Sequence, residues 1–221
     1  MRDKYQNKGF NKVLNHERAK KIKEHIKFTT GSCIDLGCGE GQITKYLIND
    51  FRYITAVDSD KELLSYVTKK AERFCHDIED FKTCESFDMI ICTNTLEHVD
   101  NPQKILKNIK PLGYESSTFF FSVPNAESYN RLVGVDMGTL NKATELGVQD
   151  IEVGHKRMYT LKTFVNEIKK AGYKIKESGT MIFKPLPNSL MDKMSNQIIK
   201  KCLSLPMRNN GAEIYVVATN E

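Results

Sequence analysis

Between residues 32 and 123 the chain carries five short apolar runs, at 32–36, 53–57, 73–75, 87–92 and 118–123, with helix-like spacing between them. Ile43, Tyr46 and Leu47 follow the first run. Residues 61–72 follow the second, with Leu63, Leu64 and Val67 on one side. A helix opened by Pro102 follows the fourth and carries Ile105, Leu106 and Ile109. Strands apolar on both faces need helices on both faces, so the pattern predicts a doubly wound α/β fold around a mostly parallel sheet. Ligands of such sheets bind beyond the carboxyl ends of the strands, where strand order reverses. Asp35, Asp58, Asp77 and Asn94 all fall at or just after those ends.

The first turn is rich in glycine. Residues 34–41 read Ile34-Asp35-Leu36-Gly37-Cys38-Gly39-Glu40-Gly41, a short apolar strand running into Gly-x-Gly-x-Gly. Such a turn brings bare backbone against a nucleotide-bearing cofactor. A dinucleotide fingerprint has its third glycine one place later, where this chain has Gln42. The loop therefore suits a cofactor with a nucleoside and no pyrophosphate. Asp58 lies 21 residues after Gly37, near the usual distance for a carboxylate that accepts from a ribose diol.

The remaining pattern narrows the class. No apolar run approaches the roughly 20 residues of a membrane helix. The chain is polar from Met1 to Lys12, without a secretory signal, and a cytoplasmic location is expected. Net charge is +5, but only seven of the 33 basic residues are arginine, a poor composition for phosphate recognition. Six cysteines include no Cys-x-x-Cys pair, so neither a zinc knuckle nor a dithiol site is indicated. Cys33 and Cys92 sit in apolar strands as small hydrophobes, and Cys38 sits in the loop for its size. Residues 1–221 read as one domain. Residues 1–27 form a helical segment or lid, with Tyr5 or Arg18 near the cofactor. Residues 161–171 form a helix between Thr160 and Gly172, 173–178 and 214–219 are strands, and 126–153 and 180–206 are insertions.

Four segments carry a resemblance over nearly the whole chain. They are residues 34–41; Ala56-Val57-Asp58-Ser59; Phe87-Asp88-Met89-Ile90-Ile91-Cys92 with Leu96-Glu97-His98-Val99; and Gly154-His155-Lys156-Arg157-Met158-Tyr159-Thr160. Together they resemble class I S-adenosylmethionine-dependent methyltransferases. The Leu-Glu-His-Val segment is similar to the small-molecule branch, with ubiquinone-pathway O-methyltransferases and sugar or natural-product modifiers. The resemblance implies a Rossmann-like seven-stranded sheet with an antiparallel last strand, S-adenosylmethionine as cofactor and S-adenosylhomocysteine as product. It assigns Asp35, Gly37, Gly39 and Gly41 to the amino-acid portion of the cofactor and Asp58 to the ribose, with Cys38 and Ser59 also among the cofactor-binding residues. Asp77 and Ile78 go to the adenine edge and Asn94 to the methionine end. Leu63 or Leu64 is available to flank the adenine, although a core leucine is the better reading of either.

Methyl transfer to a hydroxyl or an ammonium also requires loss of a proton, and histidine suits that near neutral pH. Of His16, His25, His76, His98 and His155, the preferred base is His155, on the side where family members receive substrate. A structural histidine that fixes the helix cap is the alternative. His98 lines the same pocket or packs a helix start. A metal is not expected, because only one or two ligands are in view around Glu97. The insertions offer Tyr129, Arg131, Met137, Tyr159, Met181 and Phe183 as an acceptor wall, with Arg131, Lys156 and Arg157 for an anionic group. The expected partner is a small-molecule methyl acceptor, such as a sugar or cell-surface glycan precursor. A homodimer is compatible with this, and membrane insertion is not expected. A nucleic-acid methyltransferase is the runner-up, but Thr93-Asn94-Thr95-Leu96 lacks the tandem prolines of base methylation. A catalytically silent cofactor-binding subunit is the third reading.

Overall fold

A computed structural model describes residues 9–27, 30–203, 205 and 209–220. Seven strands form one sheet: β1 (Ser32–Leu36), β2 (Tyr53–Asp58), β3 (Glu72–Cys75), β4 (Phe87–Thr93), β5 (Gly113–Pro124), β6 (Tyr173–Met181) and β7 (Glu213–Asn220). Their order is β3-β2-β1-β4-β5-β7-β6. The first five run parallel, and β7 is antiparallel to both β5 and β6. Strand order reverses where β1 lies between β2 and β4, so the crevice forms above the carboxyl end of β1, at Asp35 and the glycine loop.

Alternation along the strands divides the core. Phe119 and Phe121 face one side of β5 with Ile34 and Leu36, under α4 (Pro102–Ile109) and α7 (Leu161–Lys170). Phe120 faces the other side with Cys33 and Ile91. It lies under α1 (Gly9–Lys23), α2 (Thr44–Leu47), α8 (Asn188–Met191) and α9 (Asn196–Leu203). Each such fully buried side chain contributes about 1.5–3 kcal/mol, which is what holds the helices to both faces.

Two elements differ from their sequence reading. The helix expected over 61–72 is α3 (Lys61–Leu64), a single turn. Asp60 caps it by accepting from Glu62 and Leu63 N–H at 2.8 and 3.1 Å. The Ser65 hydroxyl donates to Glu62 carbonyl at 2.6 Å and closes the end. Glu72 then enters β3 opposite Thr55, so the chain turns back to the sheet edge before a second helical turn can pack. Residues 126–153, read from the sequence as an insertion, hold α5 (Tyr129–Asp136) and α6 (Val148–Glu152). Tyr5 lies outside the described residues.

Candidate functional site

Gly37, Gly39 and Gly41 all have positive φ, at 72°, 53° and 71°. The backbone can take this path cheaply only without Cβ atoms. Gly37 and Cys38 N–H both donate to Val57 carbonyl, at 2.8 and 3.1 Å, which pins the loop to the end of β2. A Cβ at Gly37 would collide with Thr95, and one at Gly41 would meet the Val67 methyls at 3.1 and 3.2 Å. A Cβ at Gly39 would find nothing within 4 Å. So Gly37 and Gly41 are glycines for packing, whereas Gly39 faces open space.

That space belongs to a cleft of about 650 Å³ lined by Asp35, Gly37, Cys38, Gly39, Asp58 and Asn94, among others. A second cleft of about 310 Å³ shares Gly37 and Asp58 with it and adds Ser59, Asp77 and Ile78. Nine of the ten residues that the sequence assigns to the cofactor thus line two adjoining hollows. Gly41 lines neither. Leu63 lines the large cleft, while Leu64 is a core residue, so the pair divides between the two readings.

The carboxylates around the loop are ordered by hydrogen bonds. Asp58 accepts from Gly39 N–H at 2.8 Å and from Asp60 N–H at 2.9 Å. Asp35 is 2 % exposed. One of its oxygens accepts from the Thr44 hydroxyl at 2.7 Å, and the other has no partner. Burial, against the Thr44 hydrogen bond and with Asp58 nearby, lifts its pKa to about 6. An orphaned carboxylate oxygen at the rim of a cleft is an acceptor for a ligand's cationic donor. Cys38 is 8 % exposed, and burial, with Asp35 and Asp58 adding, raises its thiol far above the ordinary value. It is a small inert filler, as expected, and so are the fully buried Cys33 and Cys92.

Beyond β4, Asn94 has φ 49° and lines the cleft. Its amide, turned with the oxygen toward α1, accepts from Arg18 Nε and Nη2 at 3.1 and 3.0 Å. Arg18 also donates to Glu213 at 2.8 Å through Nε. Helix α1 therefore forms a wall of the cleft through Asn11, Leu14, Asn15 and Arg18.

Of the five histidines, His98 and His155 line the cleft. Tertiary staples bring them together. Lys156 N–H donates to Glu97 carbonyl at 2.8 Å, and Arg157 Nη1 donates to Leu96 carbonyl at 2.9 Å. His98 Nδ1 meets Gly154 carbonyl at 3.2 Å, so Nδ1 carries the hydrogen. The two rings stand edge to face with centroids 4.8 Å apart. Burial, with His155 and Lys156 adding, drops the His98 pKa to about 4.

Asp150, which the sequence reading overlooked, holds His155. Its Oδ1 lies 3.2 Å from His155 Nδ1, and its Oδ2 accepts from Arg131 Nη1 at 2.6 Å. Burial works to raise this carboxyl. Hydrogen bonds from His155, Arg131 and Gly147 N–H outweigh it and set the pKa at about 2. Beside the ionised carboxylate His155 Nδ1 is the donor, so Asp150 fixes the orientation of the ring. An Asp five residues before a His carries no sequence signal of its own; α6 creates the pair.

Glu97, 1 % exposed, has no hydrogen-bond partner on either carboxylate oxygen. Burial lifts its pKa to about 8. Glu97, His98 and His155 each present a ligand-capable atom, and these atoms lie within 4.8 Å of one another. The sequence showed one or two ligands here; the fold supplies the third. Two imidazoles and one carboxylate form a donor set of the kind that holds a divalent ion with a position left open.

The acceptor wall differs from expectation. Tyr159 and Met181 are core residues, and Met137 is 72 % exposed. Tyr129 and Phe183 pack on each other with centroids 5.0 Å apart. Of the six residues offered, Arg131 alone lines the cleft. The cations offered to an anionic acceptor are engaged internally. Arg131 serves Asp150 and Ala143 carbonyl, Lys156 pairs with Asp100 at 2.6 Å, and Arg157 binds the carbonyls of Leu96, Val99 and Asp100. The 126–153 and 180–206 insertions still contribute to the lining, with Ser128, Leu140, Val153, Lys184 and Asn188.

Comparison with known proteins gives the same reading. A methyltransferase-domain family model matches residues 10–178. The ubiquinone biosynthesis O-methyltransferase of Coxiella burnetii is 32% identical over 121 residues, 51% of this chain and 52% of that protein. The malonyl-[acyl-carrier protein] O-methyltransferase of Bacillus cereus is 31% identical over 115 residues, 48% of this chain and 42% of that protein. The chain spans about half the length of the curated relatives it matches. Among solved structures, a SAM-dependent methyltransferase of Thermotoga maritima, described as a possible histamine N-methyltransferase, superposes with a TM-score of 0.67 at 16% identity. That match covers 94% of this chain and 89% of the other. No helix among the described residues is long and apolar enough to cross a membrane. The orphaned Asp35 oxygen, the open face of Gly39 and the paired clefts fit S-adenosylmethionine, and the chain belongs to the methyltransferase-domain family, among the class I S-adenosylmethionine-dependent methyltransferases.

Proposed function

We propose that this protein transfers the methyl group of S-adenosylmethionine to a hydroxyl or amine of a small metabolite, with His155 as general base. The observation that carries the reading is the Asp150–His155 pair on the same cleft as the glycine loop. S-adenosylmethionine supplies a methyl on a sulfonium that departs as a neutral thioether, so placement of the acceptor governs the rate. Asp35 receives the ammonium on its unpartnered oxygen, and Asn94 serves the carboxylate end. Asp58 takes the ribose diol on the lone pairs that Gly39 and Asp60 leave free, with Ser59 beside it. Asp77 and Ile78 flank the adenine in the smaller cleft. Gly41 supports these residues by letting the loop close on Val67.

His155 takes the proton at Nε2 while Asp150 stabilises the imidazolium that forms. His98, kept neutral, packs against that ring and excludes water from one face. The acceptor class is a small metabolite, of which a sugar or glycan precursor is one example. The basic-aromatic platform of nucleic-acid enzymes has no counterpart in the lining. The six cysteines are all free, which suits a reducing cytoplasm.

Glu97, His98 and His155 favour a second reading, in which they hold a divalent ion. Such an ion would acidify an acceptor hydroxyl and relieve His155 of the proton. Two experiments test the proposal. Calorimetry with S-adenosylhomocysteine must show binding. A labelled-methyl assay across metabolite pools must lose about 10²–10⁴-fold turnover in His155→Ala with cofactor affinity retained. Full activity of that variant would remove the base. Loss of activity on chelation, restored by magnesium or zinc, would select the second reading.

A further inference from the structure

Three basic side chains line the large cleft: Arg18, Arg131 and Lys184. The first two carry their counter-ions with them, Glu213 and Asp150. Lys184 does not. Its Nζ donates to Asn188 Oδ1 at 2.9 Å and makes no ion pair among the described residues. An ammonium has three donors, so two remain for something in the cleft. Burial is the main influence on the group and lowers its pKa to about 8, with Glu213 and Asp150 opposing at a distance and Arg18 and Arg131 adding. A cation held out of water without a counter-ion is costly, and an arriving anion removes that cost.

The backbone is bent to put Lys184 there. After β6, Ile182 adopts φ 68°, a left-handed conformation that a β-branched residue takes only under constraint. Such a conformation is disfavoured and persists where the surroundings fix it. Ile182 is 4 % exposed, and its carbonyl accepts from Ala212 N–H at 2.8 Å. Phe183 is held by its ring contact with Tyr129. On the far side, Asn188 Nδ2 donates to Asn11 Oδ1 at 2.8 Å, so the residue that grips Lys184 is itself tied to α1. Lys184 is therefore a positioned cation rather than a loose surface lysine.

We propose that Lys184 is the anion receptor of this cleft and determines specificity by taking a carboxylate of the methyl acceptor. The inference rests on the methyl-transfer reading and names the acceptor's charge. A monoanion is favoured over a phosphate dianion for two reasons. The guanidinium forks that match phosphate are occupied by Glu213 and Asp150, and those two carboxylates repel a second negative charge. The cofactor's own carboxylate is the other source of this chemistry; Asn94, its amide oxygen turned to Arg18, keeps its N–H donors for that end.

The test uses the full chain, wild type and Lys184→Gln, with Lys184→Arg as the conservative variant. Melting curves establish that all three fold. Calorimetry with S-adenosylhomocysteine and with methylthioadenosine, which lacks the amino-acid end, addresses the cofactor. The expected result is equal affinity of wild type and K184Q for both, within about twofold. A K184Q that weakens S-adenosylhomocysteine alone would place the cofactor's carboxylate on Lys184 and overturn the proposal. The acceptor arm saturates the protein with S-adenosylhomocysteine and adds matched pairs, hydroxybenzoates against hydroxybenzamides and glucuronate against glucose, read by ligand-observed NMR. At least one acid should bind tenfold or more tightly than its neutral partner. That preference should vanish in K184Q and return in K184R. Absence of any acid preference in wild type, or its survival in K184Q, would overturn the assignment. A wild type that ignores S-adenosylhomocysteine would remove the methyl-transfer reading first, and this one with it.

Discussion

Gly39→Ala separates the cofactor's space from the loop's own requirements. At φ 53° an alanine costs about 1–2 kcal/mol in the left-handed region, and a Cβ there meets no protein atom within 4 Å. For a domain of this size that cost lowers the apo melting temperature by roughly 2–8 °C, at about 2–4 °C per kcal/mol. The added methyl stands where the cofactor backbone approaches. Overpacking of this kind costs about 1–3 kcal/mol, so affinity for S-adenosylhomocysteine falls roughly 5- to 150-fold. With ligand at about 100 times the wild-type Kd, wild type gains about 2.7 kcal/mol. A variant weakened 100-fold gains only about 0.4 kcal/mol under the same conditions. The ligand-induced thermal shift therefore collapses. Gly41→Ala is the control: its Cβ strikes Val67, at 3.1 Å, rather than the cleft. It should melt early yet keep its shift with ligand. Scanning fluorimetry with and without S-adenosylhomocysteine reads both. A Gly39→Ala protein with wild-type affinity, or a Gly41→Ala protein that loses as much, would refute the division of roles.

Three further outcomes are expected. Asp35 has a folded pKa of about 6, above its ordinary 3.8, so its favourable contribution is present below about pH 4 and is lost as pH rises through 6. Apo wild type should lose stability relative to Asp35→Asn across that window. Its S-adenosylhomocysteine affinity should rise as pH rises through about 6 and Asp35 ionises, as calorimetry at several pH values would show; parallel curves for the two proteins would remove Asp35 from the ammonium site. Asp58→Ala should weaken the same ligand by about 1–3 kcal/mol, the range for hydrogen bonds to a charged group, and an unchanged isotherm would take Asp58 out of the site. Asp150→Asn should depress turnover and leave cofactor affinity intact, because the His155 ring loses the carboxylate that orients it. Unchanged turnover would mean that Asp150 serves Arg131 alone.

Glycine spacing, apolar runs and acidic residues at strand ends are local patterns, each set by a few neighbours along the chain. The sequence alone therefore determined the doubly wound sheet and the loop after β1, and nine of the ten residues assigned to the cofactor from it line the two clefts. Even there it placed Gly41 in the site, since a glycine that packs on Val67 and one that faces a ligand look alike in one dimension. What lies across the cleft was decided in three dimensions. Asp150 reaches His155 through α6, Lys156 and Arg157 staple that segment to residues 96–100, and Glu97 acquires two imidazole neighbours. The same packing takes Arg131, Lys156 and Arg157 into internal partnerships, whereas Lys184, beyond a left-handed isoleucine, makes no ion pair among the described residues. Whether a charged side chain is neutralised depends on which carboxylate the fold brings within a few ångströms. No spacing along the chain encodes that distance.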